Sequence, residues 1–190
     1  MIRTISINQS TDQLINPSTD QPMNIFLIGL MGSGKTFWAH KLSAVLNIPA
    51  FDLDKEIEKA EGKTIAEIFD VQGEDQFRKK ENEILKNFSG KNNFILSTGG
   101  GAPCFYNNID WMNEHGITIW IDEPPATIAK RLQKEKSHRP LIANVEDEAL
   151  SDFFVRMREK RKSFYAKAKY HLAESDISED SFLKIISPNE

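Results

Sequence analysis

The chain predicts an α/β fold: a five-stranded parallel sheet with helices on both faces, three layers in all. Three observations carry the prediction. Short apolar runs rich in strand formers alternate with stretches of helical periodicity. The runs are continuously apolar rather than alternating, as in strands covered on both faces. Every distinctive motif falls directly after such a run, where an open parallel sheet places its ligands.

The elements follow in order. Asn24 to Gly29, "NIFLIG", reads as the first strand, closed by a glycine turn, and Lys35 to Leu46 as a helix with an apolar face of Trp38, Leu42, Val45 and Leu46. "IPAFDLD" is the second strand, ending in acidic residues; "NNFILSTGGG" is the third, ending in glycines; "GITIWID" is the fourth. Helices are expected over Asp75 to Phe88, Pro125 to Leu132, Glu148 to Ala168 and Asp180 to Ile186, with a last strand near Tyr170 to Leu172. Residues 1–22, rich in Ser, Thr, Asn and Gln, read as a flexible extension, leaving 23–190 as one domain.

Composition excludes several classes. A net charge of −4, from 24 basic and 28 acidic residues, speaks against a general nucleic-acid binder. One cysteine and four scattered histidines can build neither a disulfide framework nor a zinc cluster, so a reducing, cytoplasmic setting is expected. No apolar run approaches the roughly 20 residues that span a bilayer, and neither membrane nor nucleic acid is expected as a partner.

The stretch from Gly29 to Thr36, "GLMGSGKT", fits G-x-x-x-x-G-K-[ST], the phosphate loop. Gly32, Ser33 and Gly34 let the backbone curl so that its N–H groups and the following helix end face a polyphosphate. Lys35 then reaches the β- and γ-phosphates, and the Thr36 hydroxyl ligates Mg²⁺. This specifies nucleotide binding; GTPase, ATPase and small-molecule kinase all remain open. Asp52 and Asp54, two apart in "FDLD", fall on one side of the strand end, one for a metal and one for an acceptor. In "STGGGAP" three glycines strip a wall of side chains and let a ligand approach the backbone.

Taken together, "GLMGSGKT", "FDLDKEIEKAEGKTIAEIF", "GEDQFRKKE", "STGGGA", "RPLI" and "RKSFYAKA" resemble the shikimate kinase family in order and approximate spacing, from about Gly29 to Ala168. The resemblance implies a P-loop kinase, ATP and shikimate as partners, a substrate-binding segment over about 53–89 and a lid over about 134–146. It implies phosphoryl transfer from ATP to the 3-hydroxyl of shikimate. By this resemblance Asp54 binds the substrate hydroxyls and takes the proton, and Asp52 holds Mg²⁺ through water. Arg78 and Arg161 grip the substrate carboxylate, with Gly100 as a backbone contact. Arg139 is the lid arginine over the phosphates, and Arg131 the one lying against adenine. A planar cationic fork and a hydroxyl acceptor suit a small hydroxylated anion. A monomer is expected.

The chain departs from the family at Phe37, where a second hydroxyl residue is usual, and at Ala39, where many members carry glycine. A phenyl ring cannot donate to an α-phosphate, so it is expected to pack either on the nucleotide or against the C-terminal segment. The rival readings are a gluconate kinase of similar fold and a non-catalytic binding module of the same family.

Overall fold

The computed structural model describes residues 22–133, 142 and 145–187. The expected extension, residues 1–22, lies outside them except for Pro22, as does most of the expected lid, including Arg139. Five parallel strands form one sheet in the order β2-β3-β1-β4-β5. They are β1 (Asn24–Ile28), β2 (Ala50–Asp52), β3 (Phe94–Ser97), β4 (Ile117–Asp122) and β5 (Tyr170–Ala173). The helices are α1 (Lys35–Leu46), α2 (Leu53–Glu61), α3 (Ile65–Lys86), α4 (Asn108–His115), α5 (Pro125–Leu132), α6 (Leu150–Tyr165) and α7 (Glu179–Ile186).

The continuously apolar strands are buried on both faces, which is why they show no alternation. In β1, Phe26 and Ile28 join one core with Phe94, Leu96, Trp120 and the inner faces of α2, α3 and α6. Ile25 and Leu27 join the other with Ile95, Ile119, Ile121, α1 and α7. Successive side chains of a strand point to opposite faces, so an apolar residue at every position feeds two cores.

The register brings the site together. Leu27 of β1 and Asp52 of β2 both pair with Ser97 of β3, so three strand ends stand level. The phosphate loop leaves β1, the glycines follow β3 and α2 starts at β2, which puts all three at one sheet edge.

Four expectations need correction. The second strand ends at Asp52, and Asp54 lies in the first turn of α2. The helix expected from Asp75 begins at Ile65 and kinks at Gly73, whose φ of 78° and ψ of 170° interrupt it. Its start is a capping box: Thr64 accepts from the Glu67 N–H while the Glu67 carboxylate accepts from the Thr64 N–H. The helix expected over Glu148 to Ala168 is shorter, running from Leu150 to Tyr165. Val45, expected on the buried face of α1, points outward; Ala39, Leu42 and Leu46 are the buried residues, with Trp38 partly buried beside them.

Candidate active site

A cleft of about 1120 Å³ runs along the carboxyl edge of the sheet. Gly32, Gly34, Lys35, Thr36, Phe37, Asp52, Asp54, Arg78, Gly100, Arg131 and Arg161 all border it, joining segments that the sequence spreads over more than a hundred residues. Ser33 is buried in the loop behind it, its hydroxyl without a partner. Arg139 lies outside the described residues.

At one end, the phosphate loop takes conformations that favour glycine. Gly32 and Gly34 have φ of 76° and 90°, and a Cβ on Gly32 would stand 2.8 Å from Leu132 Cδ1. Helix α1 starts with no side-chain cap and no acidic residue in its first turn. Its first helical bond runs from the Trp38 N–H to the Gly34 carbonyl at 2.9 Å, so the amides before it face the loop. Lys35 Nζ donates to the carbonyls of Gly29 (3.0 Å) and Leu30 (2.7 Å), and the buried ammonium thereby ties the loop to its own helix.

Beside the loop, three oxygens meet. Thr36 Oγ1 donates to Asp52 Oδ2 at 2.9 Å and lies 3.1 Å from Ser97 Oγ. Asp52 serves twice: its Oδ1 caps α2, accepting from the N–H groups of Asp54 (3.1 Å) and Lys55 (3.4 Å), which aims Oδ2 at Thr36. The cap thus explains how Asp52 and Asp54 share the cleft although only one belongs to the strand. Hydroxyl and carboxylate oxygens in small number fit a hard cation that keeps most of its water. No group of three or more His, Cys, Asp or Glu side chains placed to hold a metal ion is found among the described residues.

At the other end, charges are buried against bare backbone. A Cβ on Gly99 would stand 2.8 Å from Asp54 Oδ1 and 2.9 Å from Glu81 Oε1; on Gly100, 3.1 Å from Arg161 Nη1; on Gly101, 2.5 Å from Arg78 Nη2. Each glycine of the triplet therefore makes room for a different charged group. Arg78, 5% exposed, donates through Nη1 to Glu81 at 2.8 Å and through Nε and Nη2 to Glu74 at 3.2 and 3.0 Å. Its guanidinium lies 4.6 Å from the Phe105 ring centre and 5.0 Å from that of Phe77, positions suited to cation–π attraction. Arg161 Nη1 is buried without a hydrogen-bond partner. An orphaned cationic donor beside Gly100 is a place prepared for an anion.

Burial sets the carboxyl groups here. It pushes Asp54 up to about 6, helped by the neighbouring Asp52 charge and opposed by Lys35 and Arg78. It pushes Glu81 up to about 7 against the pull of Arg78, with Asp54 adding to the rise.

Further residues matter that the sequence reading did not assign. Glu81, three residues after Arg78, looks like half of an ordinary solvated helix pair; its complete burial instead encloses it with that arginine, away from water. Ser97 was concealed in a strand run. Tyr165 donates its hydroxyl to the Gly100 carbonyl at 2.5 Å, fixing the glycine wall to α6. At the end of β4, Glu123 holds Arg131 at 2.8 Å while the preceding Asp122 holds Arg158 of α6 through bonds of 2.8 and 2.6 Å. Arg131 also reaches the Gly32 carbonyl at 3.3 Å.

A phosphate loop after the central strand, a metal-suited oxygen cluster and an anion site across one cleft define a P-loop kinase of small molecules. The shikimate kinase family profile matches residues 31–188. A shikimate kinase of Phocaeicola vulgatus is 42% identical over 156 residues, spanning 82% of this chain and 89% of the relative. The crystal structure of shikimate kinase from Bacteroides thetaiotaomicron superposes with a TM-score of 0.79 at 36% identity, covering 88% of this chain and 96% of that one. Shikimate kinase from Acinetobacter baumannii, in complex with shikimate, gives the same TM-score at 30% identity over 90% and 96% of the two chains. The chain belongs to the shikimate kinase family.

Two outcomes follow from the buried charges. Folded protein retains a proton on Glu81 that the unfolded chain releases, so stability falls as pH rises from about 4.5 to about 7 and then levels. Denaturant unfolding across that range reads the slope, and Glu81→Gln removes its Glu81 share. Gly101→Ala drives a methyl into the Arg78 guanidinium and costs about 1–3 kcal/mol, as overpacking does. Gly90→Ala, with no atom within 4 Å of the added carbon, serves as the control and changes stability by less than about 0.5 kcal/mol.

Proposed function

We propose that this chain is an ATP-dependent shikimate kinase, transferring the γ-phosphoryl of ATP to the 3-hydroxyl of shikimate to give shikimate 3-phosphate and ADP on the route to chorismate and the aromatic amino acids. The observation that carries the reading is the wall over Gly99–Gly101, where two arginines and a raised carboxyl group converge within reach of the phosphate loop.

Arg161 and Arg78 hold the substrate carboxylate, the first through its unpartnered Nη1, the second with Glu81 and Glu74 behind it. Asp54, raised to about 6, accepts the 3-hydroxyl proton as that oxygen attacks the γ-phosphorus; the bond to ADP breaks in the same in-line displacement. With a pKa of about 6 the Asp54 carboxylate is the main form at neutral pH and is a stronger proton acceptor than an ordinary aspartate. Lys35 exchanges its loop carbonyls for phosphate oxygens, and the first-turn amides of α1 fix the chain of phosphates. Thr36 would hold Mg²⁺ and Asp52 would hold it through water, with Ser97 alongside, and the ion would supply neutralisation of phosphate charge. Arg131 lies on the nucleotide side, and Arg139 closes over the phosphates from the lid, excluding water that would otherwise accept the phosphoryl group. The protein acts as a cytoplasmic monomer, with residues 23–190 as its domain.

ADP release by purified protein with Mg²⁺ and ATP, offered shikimate, gluconate and nucleoside monophosphates in parallel, tests this. Turnover occurs with shikimate alone; faster turnover with gluconate overturns the substrate assignment, and ATP binding without turnover favours a binding module. Among variants, Arg78→Ala and Arg161→Ala each weaken shikimate use by about 1.5–3 kcal/mol and leave ATP binding unchanged. Arg139→Ala lowers kcat with shikimate KM unaltered, because its contacts strengthen in the transition state.

A further inference from the structure

Phe37, the residue directly after the phosphate motif, has no task in the proposed chemistry. It stands third in α1, directly after Lys35 and Thr36, where side chains lean toward the helix N-terminus and hence toward the phosphates. It borders the cleft and is 63% exposed, an unusual state for a phenyl ring beside a binding site. The ring is nevertheless held. It meets Trp38 edge to face at 5.4 Å and 80°, and Trp38 is in turn packed on Phe182 of α7 at 4.8 Å. Lys41, anchored to Glu179 at 2.7 Å, sits 5.0 Å from the Trp38 ring centre.

This arrangement separates the two roles open to the ring. Packing against the C-terminal segment is carried out by Trp38, with Phe37 left standing in front of it. The exposed face of Phe37 therefore has the cleft as its outlet. The ligand that reaches this point must be continuous with a polyphosphate bound at the adjacent amides and must offer a flat or apolar surface. A nucleoside has both properties.

We propose that Phe37 is the shelf on which the sugar and base of the phosphoryl donor lie, so that stacking takes the place of the hydroxyl-to-phosphate contact this chain lacks. The inference rests on the kinase reading of the cleft. A phenyl ring offers no hydrogen bond and every base has a π-face, so the contact is blind to the identity of the base. Adenine and guanine nucleotides gain equally from it.

Calorimetric titrations of the full chain with Mg²⁺ use three probes: a non-hydrolysable ATP analogue, its GTP counterpart and inorganic tripolyphosphate. Phe37→Ala weakens each nucleotide by the same factor, roughly fivefold to a hundredfold, and leaves tripolyphosphate unchanged. Phe37→Tyr, which keeps the ring, binds like wild type. The exposed position predicts equal thermal stability for all three proteins, which the same preparations verify. Equal losses for nucleotides and tripolyphosphate, or no loss for either, overturn the shelf. A loss confined to one base overturns its indifference to the base. If the wild-type chain binds none of the probes, the kinase reading itself fails, a result distinct from each of these.

Discussion

Charge held against bare backbone is the constraint around which the acceptor side is organised. Arg78, Glu81, Asp54 and Arg161 all crowd the loop after β3; a side chain at residue 99 would collide with Asp54 and Glu81, one at 101 with Arg78, and one at 100 would press on Arg161. Taking so many ionic groups out of water is costly unless each finds a partner. Arg78 finds three carboxylate contacts, and Glu81 is matched to it; Arg161 is left with one donor open. The site is therefore one anionic partner short of complete pairing, a deficit that the carboxylate of the proposed substrate would meet.

The donor side obeys a different rule. Its work is done by backbone amides at the start of α1, whose placement depends on the strand register more than on any side chain. Leu27 and Asp52 share Ser97 as partner, so loop, cap and metal-suited hydroxyls arrive together whenever β1, β2 and β3 pair correctly. The two halves of the cleft meet again at β4, where adjacent carboxylates at positions 122 and 123 restrain arginines on α6 and α5. An adjustment at that strand end reaches both helices, one leading to Arg131 and the other to Arg161.

Much of this was legible in the sequence. The doubly covered strands announced themselves by unbroken apolar runs, and the phosphate motif and the order of the blocks named the cleft residues. What stayed hidden depended on tertiary burial. The spacing of Arg78 and Glu81 is that of a commonplace surface pair, and only complete exclusion from water distinguishes it. The double service of Asp52 was masked because one carboxylate both ends a strand and starts a helix, so the boundary falls inside the motif. The outward turn of Val45 shows the limit of periodicity in a helix whose buried stripe is narrow. Arg139 lies outside the described residues, and its role rests on the motif around it.

The two loop carbonyls that Lys35 occupies bear on turnover as well as on form. A cradle already closed by its own ammonium has little conformational search left when the triphosphate arrives, since its ordering was completed during folding. The reverse journey benefits in the same way. When ADP departs, the ammonium has nearby acceptors to return to and need not wait, stripped and unpaired, in a water-poor crevice. Such an internal resting place flattens the energy profile between the loaded and emptied loop, favouring rapid exchange of spent nucleotide over tight retention.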